Sequence, residues 1–142
     1  MTTLSPTKLA QIRASFAAQT AMGTIRAELG EVSAGRAEIR LPNWEGIRQQ
    51  VGYIHGGVVG MIADSAAGYA ALSLAPEGAE VLTVEYKINM MAPALGEALI
   101  ARGAVVRAGR TLIVTKAEVF AVTGGQEKPV ALMQQTIMVV PG

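Results

Sequence analysis

Cysteine is absent from the 142 residues, and histidine occurs once, as His55. The first absence excludes a disulfide framework, a thiol nucleophile and thiolate metal sites. The second excludes a multi-histidine metal centre, so no metal is expected. A chain without cysteine fits a reducing compartment, and a cytoplasmic location is expected. Charge is also scarce: Asp, Glu, Lys and Arg make up 16% of the residues, against about 25% in an average globular chain. With 51% apolar residues, the composition rules out a disordered chain. It also leaves little charge to coat a monomer, which implies surface buried between subunits. The net charge is +1 with the histidine neutral. No basic block stands out, so neither a nucleic-acid nor a membrane-surface partner is expected. A small patch for a phosphate-bearing ligand stays compatible with this balance.

No stretch reads well as a membrane segment. The first sixteen residues lack the apolar core of a signal peptide. The run from Tyr53 to Ala75 has the length of a span, but it is rich in glycine and alanine and carries Asp64 in its middle. A carboxylate at that depth is costly, and a helix buried all round inside a protein is the better reading.

What the chain does contain suits a single domain over residues 1–142. Residues 6–20 read as a helix, with Pro6 at a first helical position after Ser5 and Leu9, Ile12, Phe16 and Ala17 near one stripe. Residues 1–21 thus form a helical extension. Two strands are expected at 25–32 and 36–41, joined by a turn ending in Gly35, and the second alternates cleanly. Residues 42–52 are irregular. A long apolar helix follows at 56–74, stopped by Pro76 and Gly78. Four strands come next, at 82–91, 97–108, 111–122 and 129–140, with a tight connection at Ala108-Gly109 and a turn at Gly124-Gly125. Short turns favour antiparallel pairing. The order predicts an α+β fold in which one antiparallel sheet curls around a central helix.

The chemistry concentrates in the run VGYIHGGVVGMIADS, residues 51–65. His55 precedes Gly56 and Gly57, which open the long helix. Glycine there lets another molecule approach the backbone. The first N–H groups of a helix have no internal partner and carry partial positive charge, so an oxygen turning negative is stabilised at that end. Asp64, eight residues after Gly56, is the only formal charge in the helix. Such a carboxylate is paired, exposed to a cleft or held protonated. Glycines at a helix start also serve plain packing, and a lone aspartate also serves a neighbouring serine. A Ser-His-Asp triad is disfavoured, because no G-x-S-x-G elbow is present.

The combination of His55-Gly56-Gly57 with Asp64, the strand LTVEYKINMMAPA at 82–94 and the turn Gly109-Arg110-Thr111 resembles the hot-dog-fold thioesterases, and among them the PaaI-like acyl-CoA thioesterase group. The resemblance covers residues 22–139. It implies a curved antiparallel sheet wrapped around a long helix, and hydrolysis of an acyl- or aryl-CoA thioester without a cofactor. It also implies a homo-oligomer, with a dimer as the minimal unit and tetramers common. By position, Asp64 matches the carboxylate that acts as general base or nucleophile, and Gly56 the backbone N–H that polarises the thioester carbonyl. His55 matches the residue that holds this loop. Gln49 matches a water-positioning amide, with Gln50 as its competitor, and Thr83 a water-orienting hydroxyl. Gly57 and Ser65 are further contacts. Arg110 and Thr111, helped by Arg107 or Lys116, would meet the coenzyme A phosphates, and Met90 and Met91 an acyl group. The site would join Asp64 and Thr83 of one subunit to Gly56 and Gln49 of another. A non-catalytic acyl-CoA-binding module is the alternative, and a dehydratase of the same fold a more distant one.

Overall fold

A computed structural model describes residues 3–142; Met1 and Thr2, at the start of the extension, lie outside the described residues. Two short helices lead the chain, α1 (Pro6–Ala18) and α2 (Thr20–Ile25). The hairpin β1 (Glu28–Ser33) and β2 (Arg36–Pro42) follows, and then the central helix α3 (Gly56–Leu74). The remaining strands are β3 (Glu80–Met90), β4 (Ala98–Ala108), β5 (Leu112–Thr123) and β6 (Gln126–Val140). They form one six-stranded antiparallel sheet in the order β1-β2-β4-β5-β6-β3. The chain therefore crosses from β2 to the far edge for β3 and returns beside β2 for β4.

The sheet curls around α3 because that helix is apolar and small-residued where the strands pass. Ile62, Ala63, Ala66, Ala67, Ala70 and Ala71 are fully buried. The tightest approach is at Gly103 of β4, where any Cβ would collide with the carbonyl of Ala66. α3 is long and apolar enough to cross a membrane by composition, yet most of it is buried against the sheet.

The N-terminal region departs from the expected single helix. It breaks at Gln19, and α2 ends on Arg26, a non-glycine residue in the left-handed region (φ 66°). The first strand consequently starts at Glu28 rather than at residue 25. Ala17, expected on the inner stripe, is exposed, whereas Lys8 is buried. Its ammonium donates to the carbonyls of Ala75 (2.9 Å) and Pro76 (3.3 Å), just past the end of α3. A cation suits that end of a helix, where carbonyls lack partners. Hydrogen bonds from charged groups contribute about 1.5–3 kcal/mol. Replacing Lys8 by Met, which keeps the stem but not the charge, should therefore cost about 1–2 kcal/mol in urea unfolding. An unchanged midpoint would mean that α1 does not secure α3.

The connection between β4 and β5 is Gly109 to Thr111 rather than the Ala108-Gly109 pair alone. Of the apolar residues that alternate along β3, Val84, Tyr86 and Met90 are 57%, 43% and 49% exposed in the single chain, with Leu82 before them 60% exposed, whereas Ile88 is half-buried against the core. A bulge between Thr83 and Glu85 offsets the alternation there.

Candidate active site

The start of α3 is built by the irregular segment before it. An isolated bridge pairs Arg48 with Ile54, and the His55 amide donates to the Ile47 carbonyl (2.9 Å). His55 caps the helix, its Nδ1 accepting the Gly57 N–H at 2.8 Å. That contact separates the two glycines. The Gly57 amide is occupied, whereas the Gly56 N–H has no acceptor among the described residues. Gly56 lines a hollow of about 170 Å³ together with Gln49, Tyr53 and Met90. Gln49 accepts the Val51 N–H through its side-chain oxygen (2.5 Å). Its competitor Gln50 is exposed and does not line the hollow, so the structure places Gln49 beside Gly56 and leaves Gln50 outside. Met91 is also exposed and does not line it, although Met90 and Ala92 on either side do.

Asp64 lies in a different cavity, of about 590 Å³, between α1, α3 and β3. Thr83 donates to Asp64 Oδ1 at 2.6 Å. The Nε2 of Gln135, a residue that sequence reasoning missed, donates to the same oxygen. Gln135 is fully buried on β6, and its Oε1 accepts from the equally buried Thr115 on β5 (3.0 Å). Its inward direction was readable from parity, since Ala131, Met133 and Ile137 on the same strand are all buried. Ser65 lines the same cavity and donates to Gln19 (3.2 Å), which donates to the Tyr69 hydroxyl (2.9 Å). The helix break at Gln19 thus puts the N-terminal extension into the wall beside Asp64.

The two halves stand apart in one chain. Asp64 lies eight positions along the helix from Gly56, about 12 Å at 1.5 Å per residue. Reacting groups need about 3–3.5 Å, so one chain cannot present both to one carbonyl.

Arg110 and Thr111 form the exposed turn between β4 and β5. The Val139 amide donates to the Thr111 carbonyl (2.8 Å), and Val139 pairs with Val81. The turn therefore sits at the Thr83 end of the sheet, two strands over, on the order of 10 Å away in the pairing direction. Arg107, Arg110 and Lys116 make no ion pair with the described residues. Arg102, by contrast, is taken by Glu127 (2.6 Å) and Glu38 (3.0 Å). The Arg102 hydrogen bond holds the Glu127 carboxyl below its usual range. Among the described residues no group of three or more His, Asp or Glu side chains is placed to hold a metal ion.

An antiparallel sheet curled around one long helix, with a lone helix carboxylate and a free amide at the helix start, defines a hot-dog protein. The chain belongs to the thioesterase superfamily, whose family model matches residues 51–128. A thioesterase family protein from Silicibacter pomeroyi is 42% identical, with a TM-score of 0.92 over 95% of this chain and 99% of that one. A Bacillus halodurans protein solved with coenzyme A is 25% identical, with a TM-score of 0.77 over 95% and 92%. PaaI of Escherichia coli, from the phenylacetic acid degradation operon, has a TM-score of 0.86 over 99% and 98%. At 21% identity its likeness is one of fold. The chain spans about three fifths of the length of the curated relatives it matches, archaeal proteins named as inferred esterases. The one from Saccharolobus solfataricus is 33% identical over 84 residues, 59% of each chain.

Proposed function

We propose that this chain hydrolyses acyl-CoA thioesters to the free acid and coenzyme A, at a site shared by two copies. The observation that carries this reading is Asp64: a carboxylate tied through one oxygen, at the edge of a cavity large enough for an acyl group. Asp64 of one copy takes the proton of the attacking water, or attacks first. The Gly56 N–H of the other copy holds the developing oxyanion, aided by the partial charge of the helix start. Gln49 beside it supplies an amide to orient water or the carbonyl.

The edge strand supports the shared arrangement. β3 has an open backbone edge and exposed apolar side chains, the features that template pairing with another strand. Antiparallel pairing of two copies of β3 about an axis between Tyr86 and Lys87 sets Thr83 of one opposite Met90 of the other. Thr83 holds Asp64, and Met90 lines the Gly56 hollow. One two-fold operation thus brings both half-sites together twice. Coenzyme A bound to the Bacillus halodurans relative agrees with this substrate class.

The test is a panel of acyl-CoA esters read with a thiol reagent. Steady release of coenzyme A is expected from at least one ester. Tight binding of the esters with no thiol release would favour the binding module instead. A second expectation concerns Arg110, whose place suits the remote phosphates. Arg110→Ala should raise KM with kcat little changed, since lost uniform binding acts on KM alone. The effect should shrink as salt rises. An unchanged KM would leave Arg110 a solvated turn residue.

A further inference from the structure

Gln135 is the least expected side chain in the core. Glutamine is rarely fully buried, and an unpaired amide there is costly. Every atom that needs a partner has one: Nε2 donates to Asp64 Oδ1 and, at 3.3 Å, reaches Thr83 Oγ1, while Oε1 accepts from Thr115 Oγ1 at 3.0 Å. The network has only one sense. A carboxylate accepts, so the amide nitrogen must face Asp64 and the amide oxygen must face the Thr115 hydroxyl. Thr115 pairs directly with Gln135 across β5 and β6, and Tyr86 pairs with Gln135 across β6 and β3. Thr115 and Gln135 therefore stand side by side on the inner face of the sheet, and Thr83 on β3 reaches Asp64 from the strand next to β6.

Two donors, Thr83 from β3 and Gln135 from β6, converge on Oδ1. No described residue hydrogen-bonds Oδ2. We propose that Gln135 is a positioning residue, which locks the rotation of the Asp64 carboxylate so that Oδ2 alone is presented to the water or the thioester carbon. This rests on the thioesterase reading above and adds to it which oxygen reacts and what holds it. Thr83 alone gives the carboxylate one tether, about which it can swing. The second donor, fixed in the rigid sheet and braced by Thr115, removes that freedom.

The experiment compares Gln135→Met, close in shape but without the amide, with the Thr115→Val/Gln135→Met double variant, using an ester that the wild type hydrolyses. Replacing both partners by apolar groups of similar shape leaves no orphan hydroxyl, so the double variant keeps the test alive if the single one folds poorly. Small displacements of reacting groups cost up to about 10²-fold in rate. We expect kcat to drop about 10- to 10²-fold in both variants, with KM within about twofold, because the group lost touches Asp64 and not the substrate. Adding Gln135→Met to Asp64→Asn should cause no further loss, since the two act as one unit. Wild-type kcat in the folded double variant would overturn the positioning role, as would a full additional loss in the Asp64→Asn background. If Asp64→Asn itself retains wild-type turnover, the thioesterase assignment of Asp64 fails, and that result is separable from the behaviour of Gln135.

Discussion

Asp64→Asn is expected to turn over at least roughly 10²-fold more slowly than the wild type while folding and binding acyl-CoA normally. General acid–base assistance is worth about 10²–10⁴-fold, and an amide supplies none of it. The substitution is well matched to the site. Thr83 and Gln135 both donate to Oδ1, and an asparagine carbonyl accepts from both in the same place. What changes is the oxygen left free, which becomes an NH₂ group with no lone pair for a proton or a carbonyl carbon. A merely structural Asp64 predicts the reverse: a lowered thermal midpoint with ordinary turnover in the protein that survives. Measuring kcat and midpoint on one sample decides between the two.

Gly56→Pro is the second large effect. Proline removes the one amide that lacks an acceptor at this helix start, and it does so where proline is best tolerated. Gly56 is the first residue of α3, where an N–H has no internal partner and the φ of a helix suits the ring. His55 before it is extended (ψ 135°), as a residue preceding proline needs to be. A Cβ at Gly56 meets only Met90, at an ordinary 3.5 Å. The fold should therefore stand while kcat falls about 10²–10³-fold, the usual cost of one oxyanion donor. Gly57 cannot substitute, because its amide is held by His55. Turnover within about twofold of the wild type in a folded Gly56→Pro protein would remove the helix start from the mechanism.

How far the residues announced this arrangement depends on the kind of signal each left. The long helix was legible to its ends, with a glycine pair opening it, an apolar run within it and Pro76-Glu77-Gly78 after it. Asp64 stood out because a lone charge in such a run must answer to something. The break at Gln19 and the left-handed Arg26 left no mark, since neither is glycine or proline, and they shifted the first strand by three residues. β3 carries the pattern of a half-buried strand, yet Leu82, Val84, Tyr86 and Met90 stay largely exposed within one chain, and only Val81 and Ile88 pack against the core. A pattern records that a face is buried without recording whose atoms bury it. Gln135 was hidden by its neighbour: Gln134-Gln135 reads as a polar step, and only the parity of Met133 and Ile137 turns one of the two inward. Its partners come from β5, β3 and α3, contacts made by topology rather than by spacing along the chain.

The separation of Gly56 from Asp64 makes the shared site the central claim, and mixing the two inactive variants tests it most directly. Asp64→Asn and Gly56→Pro should each be nearly inert alone. Unfolded together and refolded at equal amounts, half of the dimers combine one of each. In such a dimer one of the two sites receives both defects and the other receives none, so about one quarter of wild-type turnover should return. If each chain instead completes its own site, every site in the mixture keeps one defect, and turnover stays at the level of the separate variants.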